Sequence, residues 1–181
     1  MLALALAALL AADDLATLLA RGPVVSVETD AQGKFEAAVA LAEIAAPLEV
    51  VWAAVTDFGS YREFVPRVVG SEVSKLPLNV HVRFEIESPG PNTRYTVEYT
   101  LDPRAHVAEG RQISGDLSGS RWRWELSEGA PGHTRVKYTS RAKNFSKVLS
   151  AFEDEVQTLT AGLNVGAALT MLRALQKRVQ R

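Results

Sequence analysis

Between Val68 and Ala142 the chain holds to a period of two. VVGSEVSK (Val68–Lys75) opens the series. NVHVRFEIE (Asn79–Glu87) sets Val80, Val82, Phe84 and Ile86 against Asn79, His81, Arg83, Glu85 and Glu87. RYTVEYTL (Arg94–Leu101) puts Tyr95, Val97, Tyr99 and Leu101 on one face, and RWRWELS (Arg121–Ser127) does so with Trp122, Trp124 and Leu126. HVAEGRQIS (His106–Ser114) is a weaker strand, and HTRVKYTSRA (His133–Ala142) alternates Thr134, Val136, Tyr138 and Ser140 against Arg135, Lys137, Thr139 and Arg141. Such alternation describes half-buried strands. Turn-rich joints such as Ser88-Pro89-Gly90-Pro91-Asn92 separate them. Strands joined this way make an antiparallel meander with one apolar and one wet face.

The text changes from about Ser146 to Arg181. Proline disappears, and Leu149, Phe152, Val156, Leu159 and Leu163 recur at three- and four-residue spacing. A sheet must bury its apolar face against another element, and this is the long helical stripe on offer. Gly162 and Gly166 interrupt it, each costing about 1 kcal/mol relative to alanine. The expected class is α+β: a curved antiparallel sheet wrapped on a long C-terminal helix.

Upstream, VVSVE (Val24–Glu28) reads as a short strand and Asp30–Gly33 as a turn. FEAAVALAEIAA (Phe35–Ala46) is the first main strand, with Phe35, Ala37, Val39 and Leu41 on one face. After Pro47 the period becomes helical: Leu48, Val51, Trp52 and Val55. Gly59 is expected to stop this helix. Ser60 and Glu63 are expected to cap a second short helix, which Pro66 ends. The expected organisation is residues 1–12 as a signal peptide or N-terminal helix, 13–34 as a lead-in, and 35–181 as the domain. The apolar run Leu2–Ala12 is too short for a bilayer and has the length of a signal-peptide core. No basic residue precedes Arg21. A secreted or periplasmic location is expected, with the cytoplasm as the alternative.

Composition removes several chemistries. Hydrophobic residues make up 47% and charged residues 23%, ordinary globular values. The net charge is −1, from 20 basic and 21 acidic residues, so bulk charge points to neither nucleic acid nor an anionic membrane. There is no cysteine, hence no disulfide, thiolate metal site or cysteine nucleophile. His81, His106 and His133 have no ligand-like spacing, and no metal or cofactor is expected.

VTDFGSYREFVPRV (Val55–Val68) looks chemical, with Asp57 as a candidate base and Tyr61 as a donor. Neither a histidine nor a second suitable carboxylate completes a proton relay there, so Asp57 is read as bonding locally and no catalytic residue is assigned. RWRWE resembles an aromatic–basic patch for stacked bases. Period two sends the tryptophans to one face and the arginines to the other, which argues against nucleic acid. Arg83, Glu85, Glu87, Glu98, Arg121, Arg123, Glu125, Arg135, Lys137 and Arg141 form a wet face of mixed sign. Thr134 and Ser140 point inward with the aromatics. Asn144-Phe145-Ser146 has the glycosylation pattern and reads equally as a helix start.

A curved sheet on a single helix tends to leave a concave apolar pocket, the usual form of a small-molecule site. Its expected lining is Trp52, Phe58, Tyr61, Phe64, Phe84, Tyr95, Tyr99, Trp122, Trp124, Tyr138, Phe152, Val156, Leu159 and Leu163. A simply packed core is the alternative.

VVWAAVTDFGSYREFVPRVVGSEV resembles a segment of the START-like, or SRPBCC, helix-grip superfamily, nearest its coenzyme Q-binding and polyketide cyclase/dehydrase-type members. Val51, Trp52, Thr56, Asp57, Phe58, Tyr61, Phe64, Pro66, Val68, Ser71 and Val73 carry the match. The resemblance spans about Phe35 to Arg181 and implies a helix-grip fold with two short helices after the first main strand. It also implies a hydrophobic ligand: a lipid, isoprenoid quinone or polyketide, carried or sequestered, with transient membrane contact for exchange. A cyclase or aromatase on the same scaffold is one alternative. A toxin-like module that contacts ribosomes or proteins is another.

Overall fold

The computed structural model describes residues 12–143 and 153–180, with side chains for 14–143 and 158–180. Met1–Ala11, the Asn144-Phe145-Ser146 tripeptide, Leu149 and Phe152, and the Val156 side chain lie outside the described residues. Helix α1 (Ala12–Arg21) leads into strands β1 (Val24–Thr29) and β2 (Phe35–Ile44). Helix α2 (Leu48–Thr56), a 3-10 turn (Phe58–Ser60) and the single-turn α3 (Tyr61–Phe64) follow. The meander is β3 (Val68–Lys75), β4 (Val80–Ile86), β5 (Thr93–Asp102), β6 (Val107–Gly115), β7 (Arg121–Glu128) and β8 (Thr134–Arg141). Helix α4 (Glu153–Val179) closes the chain.

The strands form one eight-stranded antiparallel sheet in the order β1-β2-β8-β7-β6-β5-β4-β3. β2 and β3 are consecutive in sequence but lie near opposite edges. The α2–α3 segment therefore carries the chain across the sheet. This is the α+β helix-grip architecture, and the strand alternation of Val68–Ala142 foretold its meander. β1, in the expected lead-in, pairs with β2 from Val24↔Leu41 onward and is an edge of the same sheet.

The two halves of the sheet are covered differently. α4 packs chiefly on β1, β2 and β8. The inner face of β2 is Ala38, Ala40, Ala42 and Ile44, all buried. Three alanines let a helix approach closely. The inner face of β4–β7 carries Phe84, Tyr95, Tyr99, Trp122 and Trp124 instead. Those rings occupy the space a close-packed helix would need.

The face of α4 that turns inward differs from the expected stripe. Asn164, Ala168, Leu172 and Leu175 are buried, whereas Leu159 and Leu163 stay 46% and 42% exposed. Asn164 sets this rotation. Its Oδ1 accepts from the Ala142 N–H at 2.9 Å and the Ser140 hydroxyl at 2.8 Å. Its Nδ2 donates to the carbonyls of Ala142 and Thr160, both at 2.9 Å. The side chain thus behaves like a short piece of strand paired to the end of β8. A buried amide so satisfied costs nothing in orphaned polar groups and forbids other rotations of the helix.

Candidate functional site

The break between α2 and α3 is fixed by hydrogen bonds to its backbone carbonyls. α2 ends at Thr56, with Asp57 as its cap at φ −80°, and the Asp57 N–H donates to Ala53 O at 3.0 Å. The expected stop at Gly59 is therefore corrected: Gly59 lies inside the 3-10 turn without a positive φ. The expected Ser60–Glu63 capping box is absent too, since Ser60 makes no side-chain cap bond. Two distant hydroxyls serve instead. The Tyr61 hydroxyl donates to Val55 O at 2.7 Å, and the Ser71 hydroxyl on β3 donates to Phe58 O. The last carbonyls of a helix have no partner within it, so a tertiary donor to Val55 O is a natural solution; Phe58 O accepts the Tyr61 N–H as well as the Ser71 hydroxyl. Asp57 is exposed, and neither turn boundary uses its side chain as a cap. Val65 is extended (φ −87°, ψ 117°), as the residue before a proline must be.

From this break an aromatic wall runs across the inner sheet face. Phe58 stacks on Tyr99 with centroids 4.1 Å apart and tilts against Tyr61 at 5.6 Å. Tyr61 meets Phe64 edge-on at 5.3 Å and Phe84 at 5.9 Å. Phe84 reaches Tyr95 at 5.7 Å, and Tyr95 stacks on Trp122 at 5.5 Å. Trp124 and Tyr138 form a separate pair at 4.2 Å. Gly110 on β6 makes room for this arrangement. A Cβ placed there would lie 2.6 Å from Tyr99 Cε1 and 2.9 Å from Val97 Cγ1.

The polar atoms of this interior divide into spent and unspent. Thr134 donates to Ala46 O at 2.8 Å, and Ser140 to Asn164. With Tyr61 and Ser71, these hydroxyls serve the fold. Among the described residues, the Tyr95 and Tyr99 hydroxyls have no hydrogen-bond partner. Burial pushes the phenols of Tyr61, Tyr95, Tyr99 and Tyr138 well above their ordinary range, so all four are neutral donors. The buried polar residues of the described core are Ser71, Ser120, Thr134, Ser140 and Asn164. None of them is an acid or base near neutral pH.

Most expected lining residues meet here: Phe58, Tyr61, Phe64, Phe84, Tyr95, Tyr99 and Trp122 are joined by ring contacts, with Trp124 and Tyr138 beside them. Trp52 stands apart on α2, edge-on to His106 at 5.5 Å. His106 Nε2 in turn lies 2.9 Å from Glu49 Oε1, an anchor of the β5–β6 turn that pattern reading missed. Leu159 and Leu163 lie on the exposed side of α4. The rings touch one another along this wall. Concavities open elsewhere: one of about 570 Å³ on the outer sheet face, and one of about 540 Å³ between α1, β2, the β7–β8 turn and α4.

Comparison with known proteins agrees with this architecture. The family described as polyketide cyclase/dehydrase and lipid transport matches residues 44–168, more than half of the chain. The Zhui aromatase/cyclase from Streptomyces sp. R1128 superposes with a TM-score of 0.68 at 18% identity, covering 80% of this chain and 93% of that one. A START superfamily protein from Mycobacterium smegmatis gives 0.64 at 18% identity, over 80% and 97% of the two chains. A STAR-related lipid transfer protein from Xanthomonas axonopodis gives 0.63 at 16% identity, over 87% and 99%. Likeness at these identities is one of fold. No curated protein matches the chain in sequence.

Proposed function

This chain belongs to the polyketide cyclase/dehydrase and lipid transport family, and on that premise we propose that it is a carrier. Its ligand is a hydrophobic small molecule of lipid, isoprenoid quinone or polyketide type, and binding requires no chemical step. The observation that supports this reading is the content of the described core. Aromatic and aliphatic side chains surround two unspent phenols, Tyr95 and Tyr99, and no buried carboxylate, histidine or lysine accompanies them. Apolar burial contributes about 25 cal/mol per Å², and the phenols orient a carbonyl or hydroxyl of the ligand. Entry separates the Phe58–Tyr99 stack, which joins the helix break to β5. Exchange with a bilayer uses the β3–β4 turn, where Leu76 and Leu78 are 48% and 88% exposed around Pro77.

The test is organic extraction of the purified protein with mass spectrometry of the extract, alongside displacement of a fluorescent fatty acid. A co-purifying apolar compound that competes with the probe is the expected result. An empty extract together with no probe binding would reject the carrier. The second reading, a cyclase or aromatase, draws on the Streptomyces aromatase/cyclase that shares the fold. Turnover of a poly-β-keto substrate would establish it over the carrier.

A further inference from the structure

On the outer face of the sheet, three arginines stand side by side. Arg121 on β7 pairs in register with Arg111 on β6 and with Arg141 on β8. Residues directly opposite one another point to the same face, and like charges so placed are destabilising. The two flanking arginines are relieved from outside the row. Arg111 Nη2 lies 2.7 Å from Glu98 Oε1. Arg141 Nη2 lies 3.5 Å from Glu28 and 3.4 Å from Glu36. Arg121 is exposed and has no ion-pair partner among the described residues. The adjacent acids are engaged elsewhere: Arg123 pairs with Glu109 and Glu125, and Lys137 with Glu125.

The row lines the outer concavity of about 570 Å³, whose walls carry five basic and four acidic side chains. The surplus cation is Arg121. We propose that this groove binds a compact oxyanion of phosphate or sulfate type, held by Arg121 between Arg111 and Arg141. Guanidinium groups present paired donors that match such oxygens. The anion supplies the charge that the register of the sheet leaves uncompensated. Glu98 at one end of the row, and Glu28 and Glu36 at the other, repel a long polyanion while leaving room for a single phosphoryl or sulfuryl group.

The full chain is titrated with sodium phosphate or sulfate at millimolar concentration, with sodium chloride holding ionic strength constant. Melting temperature and calorimetric binding are recorded for the wild type and R121Q. Saturable binding with a raised Tm is expected in the wild type. R121Q should lose about tenfold or more in affinity and, without added anion, melt no lower than the wild type because the repulsion is gone. An equal response to chloride and phosphate would mean screening alone and would overturn the proposal. An undiminished response in R121Q would do the same, since general salting-out effects do not depend on this side chain. Glycerol phosphate and vesicles containing phosphatidic acid distinguish a soluble phosphate ester from a lipid headgroup: binding of the first assigns a free ligand, and binding of the second alone assigns a membrane one.

Discussion

The Tyr61 hydroxyl donates a 2.7 Å hydrogen bond to the Val55 carbonyl, so the tyrosine that looks most like a proton donor is the cap of the preceding helix. Tyr61→Phe keeps the ring contacts and leaves a buried carbonyl unpaired. The expected loss is about 1–2 kcal/mol, read from urea denaturation. Affinity for a hydrophobic probe should change less than twofold. Loss of ligand binding with unchanged stability would return Tyr61 to the site.

All four tyrosines of the chain have a raised pKa, with desolvation the leading cause; Tyr61, Tyr99 and Tyr138 are buried and Tyr95 is partly buried. The folded state therefore keeps its phenolic protons where the unfolded chain, titrating near 10, has begun to lose them. Stability contributed this way is complete below about pH 10 and falls as pH rises beyond it. Phenolate absorbance should stay near zero through pH 10 and then appear together with loss of the near-ultraviolet dichroism. Gradual titration of two or more tyrosines in a still-folded protein would contradict this.

Asn164→Ala should be among the most damaging single changes in α4. It strands the Ala142 N–H and C=O and the Ser140 hydroxyl in a buried place. A loss of roughly 3 kcal/mol is expected, visible as a lower urea midpoint with little change in slope. Leu163→Ala, at an exposed position, should cost less than about 1 kcal/mol.

Gly110→Ala places a methyl group where the Tyr99 ring now sits. Overpacking of this kind costs about 1–3 kcal/mol. It should also part Tyr99 from Phe58 and so speed the uptake of a hydrophobic probe. Stopped-flow fluorescence measures the rate. Unchanged kinetics in a destabilised variant would remove the Phe58–Tyr99 pair from the entry route.

Leu78→Glu tests the bilayer contact. Leu78 is 88% exposed, so stability should move by no more than about 0.5 kcal/mol. Co-sedimentation with phosphatidylcholine vesicles, and the rate of probe transfer to them, should fall severalfold. Equal transfer by the variant and the wild type would place the contact elsewhere.

Periodicity is a local property, and it alone determined which residues of β4, β5, β7 and β8 face inward, from a period of two, and that a long helix follows the strands, from three- and four-residue spacing. The same reading singled out Val55–Val68 as a break between two helices, because Pro47 and Pro66 act on their immediate neighbours. It misassigned the devices inside that break. Gly59 and Ser60 suit local caps, but the actual donors are Tyr61 and the distant Ser71, and only packing brings Ser71 to Phe58. It also placed Leu159 and Leu163 on the wrong side of α4. Spacing weighs Leu159 and Leu163 as apolar and discounts a polar Asn164, whereas three of its four hydrogen bonds depend on the end of β8 lying alongside. Tertiary structure likewise decided that α4 rests on the alanines of β2 while aromatic rings fill the other half of the sheet, since helix approach depends on side-chain size across a gap. The arginine row has the same origin: each arginine is an ordinary outward residue of its own strand, and only strand register makes the three neighbours.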